Sequence, residues 1–245
     1  MFSSLRSLAE RTFFDVLSLV FPPCCPVCGT PLEEGERFVC TACRYRIPLT
    51  GFCAEADNPM WRKFWGLVPV ERAAALFWFI SGSDWRKLIH KFKYDGKWLY
   101  AERLGRWLGE ELAEGGLFAD TDVVVPVPLH WRKRIARGYN QSEYIAQGVA
   151  HALGKPCDFR SVRRIKNNPS QAQQRKTERW ENVADIFVVR RADALRGRHV
   201  LLVDDVFTAG ATVISCAEAI VAACGGDVRI SVATVAVSRK ELGED

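Results

Sequence analysis

The chain has 245 residues, a hydrophobic fraction of 48%, a formal net charge of +5 and a pI near 8.7. Length and apolar content allow one substantial core with a small appendage, and no run approaches the eighteen apolar residues of a membrane-spanning helix. Mild basicity accommodates phosphates or nucleic acid but requires neither, because a solvated basic face gives the same balance.

Nine cysteines, four of them in two Cys-x-x-Cys pairs, argue against a disulfide scaffold. An odd total leaves one unpaired, and clustered pairs read as metal ligands in a reducing compartment, so a cytoplasmic location is expected. Glu10, Arg11 and Asp15 interrupt the apolar character of the first twenty residues, and no signal peptide is evident.

Leu5, Leu8, Thr12, Val16 and Leu19 recur near a 3.6-residue period, and Phe13, Phe14, Leu17, Val20 and Phe21 widen the stripe. The spacing predicts an N-terminal amphipathic helix within residues 1–21, able to pack on its own domain or to make peripheral contact with a membrane or partner. Pro22 and Pro23 end it. Cys25-Pro-Val-Cys28-Gly29 follows, with eleven residues between Cys28 and the second pair, Cys40-Thr-Ala-Cys43. Each pair makes a knuckle whose thiolates reach one ion. Cys25, Cys28, Cys40 and Cys43 are therefore the expected ligands of a closed, structural Zn²⁺. Cys24 is an alternative to Cys25, but only Cys25 gives the two-residue gap. The ion would stabilise a module with little core of its own.

Residues 22–66 are read as the zinc-binding module and its connector, and residues 67–240 as the main domain. Residues 68–80 suit a strand or hairpin, 83–92 a short helix and 98–112 a longer one. Lys91, Lys93 and Lys97 flank Tyr94 and can meet phosphate, but a charged helix end is the preferred account of them. Val123-Val124-Val125 predicts a buried strand, closed by Pro126-Val127-Pro128. A basic loop with Arg132, Lys133, Arg134 and Arg137 comes next, before a helix over 142–153. Guanidinium forks match phosphate oxygens, so Val127, Pro128, Arg132, Arg134 and Arg137 are expected to meet a pyrophosphate. Residues 163–183 are polar and basic without apolar period, which predicts a mobile surface loop.

The most informative stretch runs from Val200 to Thr212. Four apolar residues, Val200 to Val203, are too few for a helix and suit a strand buried on both faces of a parallel sheet. Asp204 and Asp205 then fall at its C-terminal end, where open α/β sheets place their ligands. Thr208-Ala209-Gly210-Ala211-Thr212 forms a small-residue turn into a helix over 213–223, presenting N–H groups and hydroxyls to a phosphate dianion. Acids beside a phosphate cradle suit a ribose 5-phosphate. Residues 185–189 and 228–237 supply further strands, and the tail after Lys240 is expected to fray.

This thirteen-residue pattern resembles the signature of the type I phosphoribosyltransferases. The resemblance implies that Asp204 and Asp205 hold the ribose hydroxyls and that residues 208–212 hold the 5-phosphate. Pro126-Val127-Pro128, then Arg137-Gly138-Tyr139-Asn140-Gln141, the four-cysteine knuckle and Leu88-Ile89-His90-Lys91-Phe92-Lys93-Tyr94 are together similar to the ComF family. The expected fold is α/β, type I phosphoribosyltransferase-like, a mainly parallel sheet flanked by helices behind an N-terminal zinc ribbon or knuckle. In that superfamily a flexible loop at 163–183 closes over substrate and excludes water. Gln171, Arg179, Asn182 and Val183 keep part of the family pattern, while Asn168 and Gln174 depart from it.

The family further implies phosphoribosyl pyrophosphate as ligand, with Mg²⁺ bridging its pyrophosphate and ribose oxygens, and electrostatic stabilisation of the leaving group. No His-Asp or Cys-His constellation is needed, and the scattered His90, His130, His151 and His199 read as packed or solvated. Three functions remain open on sequence. One is ligand binding in the service of competence-related DNA uptake, with single-stranded DNA and a competence helicase as partners. Another is transfer of the phosphoribosyl group to a purine, pyrimidine or amine acceptor. The third is an adaptor for an ATP-driven partner.

Overall fold

A computed structural model of the chain describes residues 22–166 and 186–243. The expected N-terminal helix lies outside the described residues, as does most of the expected lid, including Asn168, Gln171, Gln174, Arg179, Asn182 and Val183. The chain divides into two compact units, Met1–Ile47 and Pro48–Asp245.

In the first unit the Cys25 N–H donates to the Thr30 carbonyl and the Gly29 N–H to that of Cys25, both at 2.8 Å. Gly29 makes this tight return at φ +81°, a conformation costly for a residue with a Cβ. The second pair opens a short helix, α1 (Thr41–Tyr45), whose N-cap is Cys40. The Cys40 sulfur accepts from the Cys43 N–H, so the helix cap and the knuckle are one structure. Among the described residues 22–47, and apart from two of the cysteines, the buried apolar side chains are Pro26, Val27, Val39 and Ile47. So small a core does not hold such a segment unaided.

The second unit runs α2 (Pro59–Arg62), β1 (Val70–Phe79), α3 (Asp84–Tyr94), α4 (Trp98–Gly115), β2 (Val123–Pro126), α5 (Trp131–Arg137), α6 (Gln141–Leu153), β3 (Val162–Arg164), β4 (Phe187–Val189), β5 (His199–Phe207), α7 (Ala211–Ala223), β6 (Arg229–Ser238) and α8 (Arg239–Leu242). Four strands form a parallel sheet in the order β1-β6-β5-β2, and β3 pairs antiparallel with β4. Cys157 adds a parallel bridge to Val124 on the outer side of β2.

The apolar run 200–203 and its partner 123–125 are fully buried, as strands covered on both faces must be. The span 68–80 resolves into one long strand rather than a hairpin. The far edge of β1 is occupied by the chain before it: Trp78 N–H donates to Pro48, Asn58 Nδ2 to Ala73 and Trp61 Nε1 to Val70, each at 2.8 Å. Segment 127–141, expected as a loop, contains α5, because His130 caps its start and Gly138, at φ +83°, ends it.

The path through the sheet fixes the place of a ligand. From β1 the chain crosses to β2 and on to residue 157, always outward, whereas β5 returns through α7 to β6 in the opposite direction. Right-handed crossovers then put α4 and α6 on one face and α7 on the other. Accordingly α4 packs along α6, and α7 along β4 and β5. The α4–α6 contact is backbone to backbone. A Cβ on Gly148 would collide with the Glu102 carbonyl, and one on Gly109 would lie 2.7 Å from Ala152 Cβ. The reversal falls between β2 and β5, so a crevice opens at their C-terminal ends.

At the opposite end of the sheet, Arg229 grips Glu71 through two nitrogens (2.6 and 2.7 Å) and Asp120 at 2.5 Å, while Arg72 takes Asp120 at 2.7 Å. His199 is buried beside them, its Nε2 2.8 Å from Ser231 Oγ. Glu71, Asp120 and His199 approach one another closely enough for an ion, but two guanidiniums already neutralise the carboxylates, and the cluster is a structural clamp. Among the described residues no helix is long and apolar enough to cross a membrane.

Candidate functional site

Asp204 and Asp205 stand in β5 one step beyond the last register pair with β2, Pro126 opposite Val203. That is the mouth of the crevice at the reversal point. The Val127 N–H continues the ladder to Val203 at 2.9 Å, fixing the Pro126-Val127-Pro128 turn against the acids.

Both carboxylates are held by residues from other elements. Lys93 Nζ, from the last turn of α3, donates to Asp205 Oδ1 at 2.9 Å, and Gln141 Nε2, the first residue of α6, donates to Oδ2 at 2.6 Å. Ser142 Oγ donates to Asp204 Oδ1 at 2.8 Å, and the Asp205 N–H donates to the same oxygen at 2.9 Å. Asp205 is buried and Asp204 nearly so. Burial first, then the adjacent Asp205 charge, pushes the Asp204 carboxyl up to about 7, against the lowering effects of Ser142, the Asp205 N–H and Lys93.

The turn that follows is built as the sequence suggests. Thr208 and Ala209 are exposed, Gly210 adopts φ +77°, and α7 starts at Ala211 with no side chain capping its N-terminus. A Cβ on Gly210 would lie 2.7 Å from the Phe207 ring, so glycine is required by space as well as by φ. Ala211 and Thr212 form the open first turn of a thirteen-residue helix, whose free N–H groups and dipole favour an anion.

The cations of the 131–137 segment divide. Arg132 lies over the ring of Trp131 at 5.3 Å, and Arg134 is paired with Glu143 at 3.1 Å. Arg137 donates to Gln141 Oε1 at 3.0 Å, so Gln141 relays between Arg137 and Asp205. Lys133 is half-buried, and its ammonium is destabilised first by burial and then by Arg164, Arg137 and Lys93. Arg164, on β3, is likewise depressed by burial, with Asp204 acting the other way. Neither Lys133 nor Arg164 forms an ion pair among the described residues. Like charges drawn together without a neutralising carboxylate mark a place for an anion. A pocket of about 90 Å³ adjoins it, lined among others by Pro126, Pro128, Trp131, Arg134, Asn140 and Arg164.

The sequence pointed to the acids, the turn and the basic segment with Lys133 in it, but assigned no role to Gln141, Ser142 or Arg164 and left Lys93 undecided. The available signal was polarity at the start of α6, where Asn140, Gln141 and Ser142 are all buried. The histidines supply no base beside the acids. His130 is buried as the α5 cap, and His90 stacks on Tyr94 with centroids 4.5 Å apart.

A divalent ion implied by the family finds little here to bind alone. Three of the four carboxylate oxygens already accept bonds, and Lys93, Lys133, Arg137 and Arg164 surround the site. Mg²⁺ fits only when a polyphosphate carries it in and supplies most of its oxygens.

The four thiols Cys25, Cys28, Cys40 and Cys43 come together, with ligand atoms all within 4.8 Å of one another. Cys28 and Cys40 sulfurs are 3.6 Å apart, close to the ~3.8 Å edge of a tetrahedron with Zn–S bonds of about 2.3 Å. Cys24 stays outside the cluster, its sulfur 3.3 Å from the Pro22 carbonyl. All four positions of a tetrahedron are filled by sulfur, and the set fits a structural ion.

Comparison with known proteins agrees with this architecture. Residues 140–245 match the phosphoribosyl transferase domain, a span that begins at the N-cap of α6 and contains both acids and the turn. The DNA utilization protein YhgH of Salmonella typhimurium is 30% identical over 216 residues, covering 82% of this chain and 91% of that protein. Competence protein F of Haemophilus influenzae is 28% identical over 51% of this chain and 56% of its own length. Competence protein ComFC of Bacillus subtilis is 31% identical over 37% of this chain and 34% of its own. Likeness to solved structures is slighter: a glutamine phosphoribosylpyrophosphate amidotransferase from B. subtilis, at 20% identity, covers 60% of this chain and 30% of that one with a TM-score of 0.42. With its four-cysteine cluster, its parallel sheet of type I phosphoribosyltransferase form and a YhgH relative matched along most of both chains, the protein belongs to the ComF family.

Proposed function

We propose that the crevice between β2 and β5 binds phosphoribosyl pyrophosphate or a closely related phosphoribosyl ligand. The 5-phosphate sits on Thr208, Ala209, Gly210, Ala211 and Thr212, the ribose hydroxyls donate to Asp204 and Asp205, and the pyrophosphate meets Arg137, Lys133 and Arg164 beside Val127 and Pro128. The observation that carries this reading is the juxtaposition itself. Two acids, an uncapped helix N-terminus and a set of unneutralised cations converge at the one reversal of the sheet. Each recognises a different part of the same molecule. Mg²⁺ arrives with the pyrophosphate, and Zn²⁺ in the knuckle is structural.

Relatives named for competence and DNA utilization support a role of this site in DNA uptake and the handling of its products. Contact with single-stranded DNA is favoured at α5, where Trp131 is 57% exposed beneath Arg132; in residues 61–72, a second stretch with Trp and Arg, Arg62 and Arg72 are engaged by Asp57 and Asp120. Turnover to a nitrogen acceptor is the second reading, supported by Lys133, Arg137 and Arg164, cations of the kind that stabilise a departing pyrophosphate.

A thermal shift with phosphoribosyl pyrophosphate and Mg²⁺ tests the assignment. Saturating ligand at a hundred times Kd stabilises by about 2.7 kcal/mol, a rise of several degrees in Tm. The double variant Asp204→Asn with Asp205→Asn is expected to lose that rise. An equal shift in both proteins, or none in the wild type, removes the assignment.

A further inference from the structure

Lys93 lies on α3, upstream of the matched domain, yet its ammonium crosses 112 positions of sequence to reach Asp205 Oδ1. The lysine side chain is 20% exposed and that of the aspartate 8%. Helix α3 does not need this pair to stay in place. Trp85, Leu88, Ile89 and Phe92 are buried along it, Ser83 caps its start, and the Tyr139 hydroxyl donates to the Phe92 carbonyl near its end. A buried ion pair is in any case a weak source of stability compared with packing. Its effect falls on the acids. Gln141 orients Asp205 from the other side, but it is neutral, and Arg137 acts on Asp205 only through it.

We propose that Lys93 is a positioning residue of the phosphoribosyl site, holding Asp205 aimed beside Asp204 and opposing uptake of a proton by the pair, so that their oxygens stay free to accept sugar hydroxyls. This rests on the reading of the crevice given above. Without the ammonium, two adjoining carboxylates share a poorly solvated site, and the cheaper state is one in which a proton is retained between them. A retained proton turns an acceptor oxygen into a donor and costs a hydroxyl contact. The charged and titratable groups facing the pair are Lys93 from α3, Arg164 from β3 and the buried Cys216 thiol from α7, with Arg137 behind Gln141. Lys93 alone among the cations bonds an Asp205 oxygen directly among the described residues.

The test is calorimetric titration of the full-length protein with ribose 5-phosphate, and separately with inorganic phosphate, from pH 5.5 to 8.5. Wild type, Lys93→Met and Lys93→Arg are compared, with Lys93→Gln in place of the methionine variant should that one fail to fold. The wild-type affinity for the sugar phosphate is expected to fall on the acid side of about pH 7, where Asp204 takes its proton. In Lys93→Met that acid limb moves to higher pH, with an affinity loss of about tenfold at pH 7. Arginine restores most of the profile, and inorganic phosphate, which makes no hydroxyl contact, shows no such displacement. A uniform loss for both ligands with an unmoved pH limb makes Lys93 only another phosphate-attracting charge and overturns the inference. Unchanged sugar-phosphate binding overturns it as well. If the wild type binds no ribose 5-phosphate at any pH, it is the underlying reading of the crevice that falls.

Discussion

Asp204 is placed where it is expensive to ionise. Its carboxyl is held near 7 in the folded chain against about 3.9 in the unfolded one, because burial and the Asp205 charge outweigh the bonds from Ser142, the Asp205 N–H and Lys93. The native state therefore binds more protons than the unfolded state between roughly pH 4 and 7, and this residue's contribution to stability declines as pH rises through that window. Asp204→Asn keeps an oxygen for the Ser142 hydroxyl and removes the charge. It is expected to melt like the wild type near pH 4 and at a higher temperature at pH 8.5, the gap opening as pH rises from about 4 to 7 and reaching a few kcal/mol, while losing ligand. Thermal unfolding at the two pH values decides the matter; a variant less stable than wild type at pH 8.5 contradicts the electrostatic account. Gly210 shows the same selection for function. Its φ and the Phe207 ring leave room for no side chain, and the turn keeps its N–H groups open instead of capping them.

At the level of elements, α5 is a helix that periodicity did not reveal. Seven residues with four cations read as loop, yet His130 and Gly138 supply the start and stop, and the helix carries Trp131 and Ile135 exposed at 57% and 74%. Two large apolar side chains one turn apart, beside Arg132 and Arg134, form a face suited to unstacked bases and phosphates. Trp131→Ala with Arg132→Ala is expected to weaken binding of a single-stranded oligonucleotide by about tenfold and to flatten its salt dependence, measured by fluorescence anisotropy at several ionic strengths. Unaltered affinity and slope would move the nucleic-acid contact away from this helix. The expected helices over 83–92, 98–112, 142–153 and 213–223 all form, the first three because they carry an apolar period or a cap that local sequence can supply, the last as a run of apolar and small residues.

Taken as a whole, the chain joins a zinc-type knuckle to a doubly wound domain, and the two depend on different forces. The second unit has a continuous core of strands and helices, whereas residues 22–47 bury only a few apolar side chains around four thiols. Purified protein is expected to contain one zinc per chain. Chelation, or Cys40→Ser, should then expose 22–47 to limited proteolysis, since metal binding supplies most of that segment's folding free energy. Metal-free protein that resists cleavage there would show the knuckle to be held by something else.

Sequence alone determined the strand carrying Asp204 and Asp205, the small-residue turn, the paired cysteines and the family these motifs resemble. All are encoded within short windows, where period, turn chemistry and ligand spacing act locally. Only the tertiary structure decided that β2 and β5 are neighbours at a reversal of the sheet, that Lys93, Gln141 and Ser142 grip the acids, and that Lys133, Arg137 and Arg164 converge while Arg134 turns to Glu143. Those partners are separated from the acids by some forty to more than a hundred residues of chain. Which cation meets which carboxylate is set by crossover handedness and helix packing, and neither leaves a mark on the residues next to it.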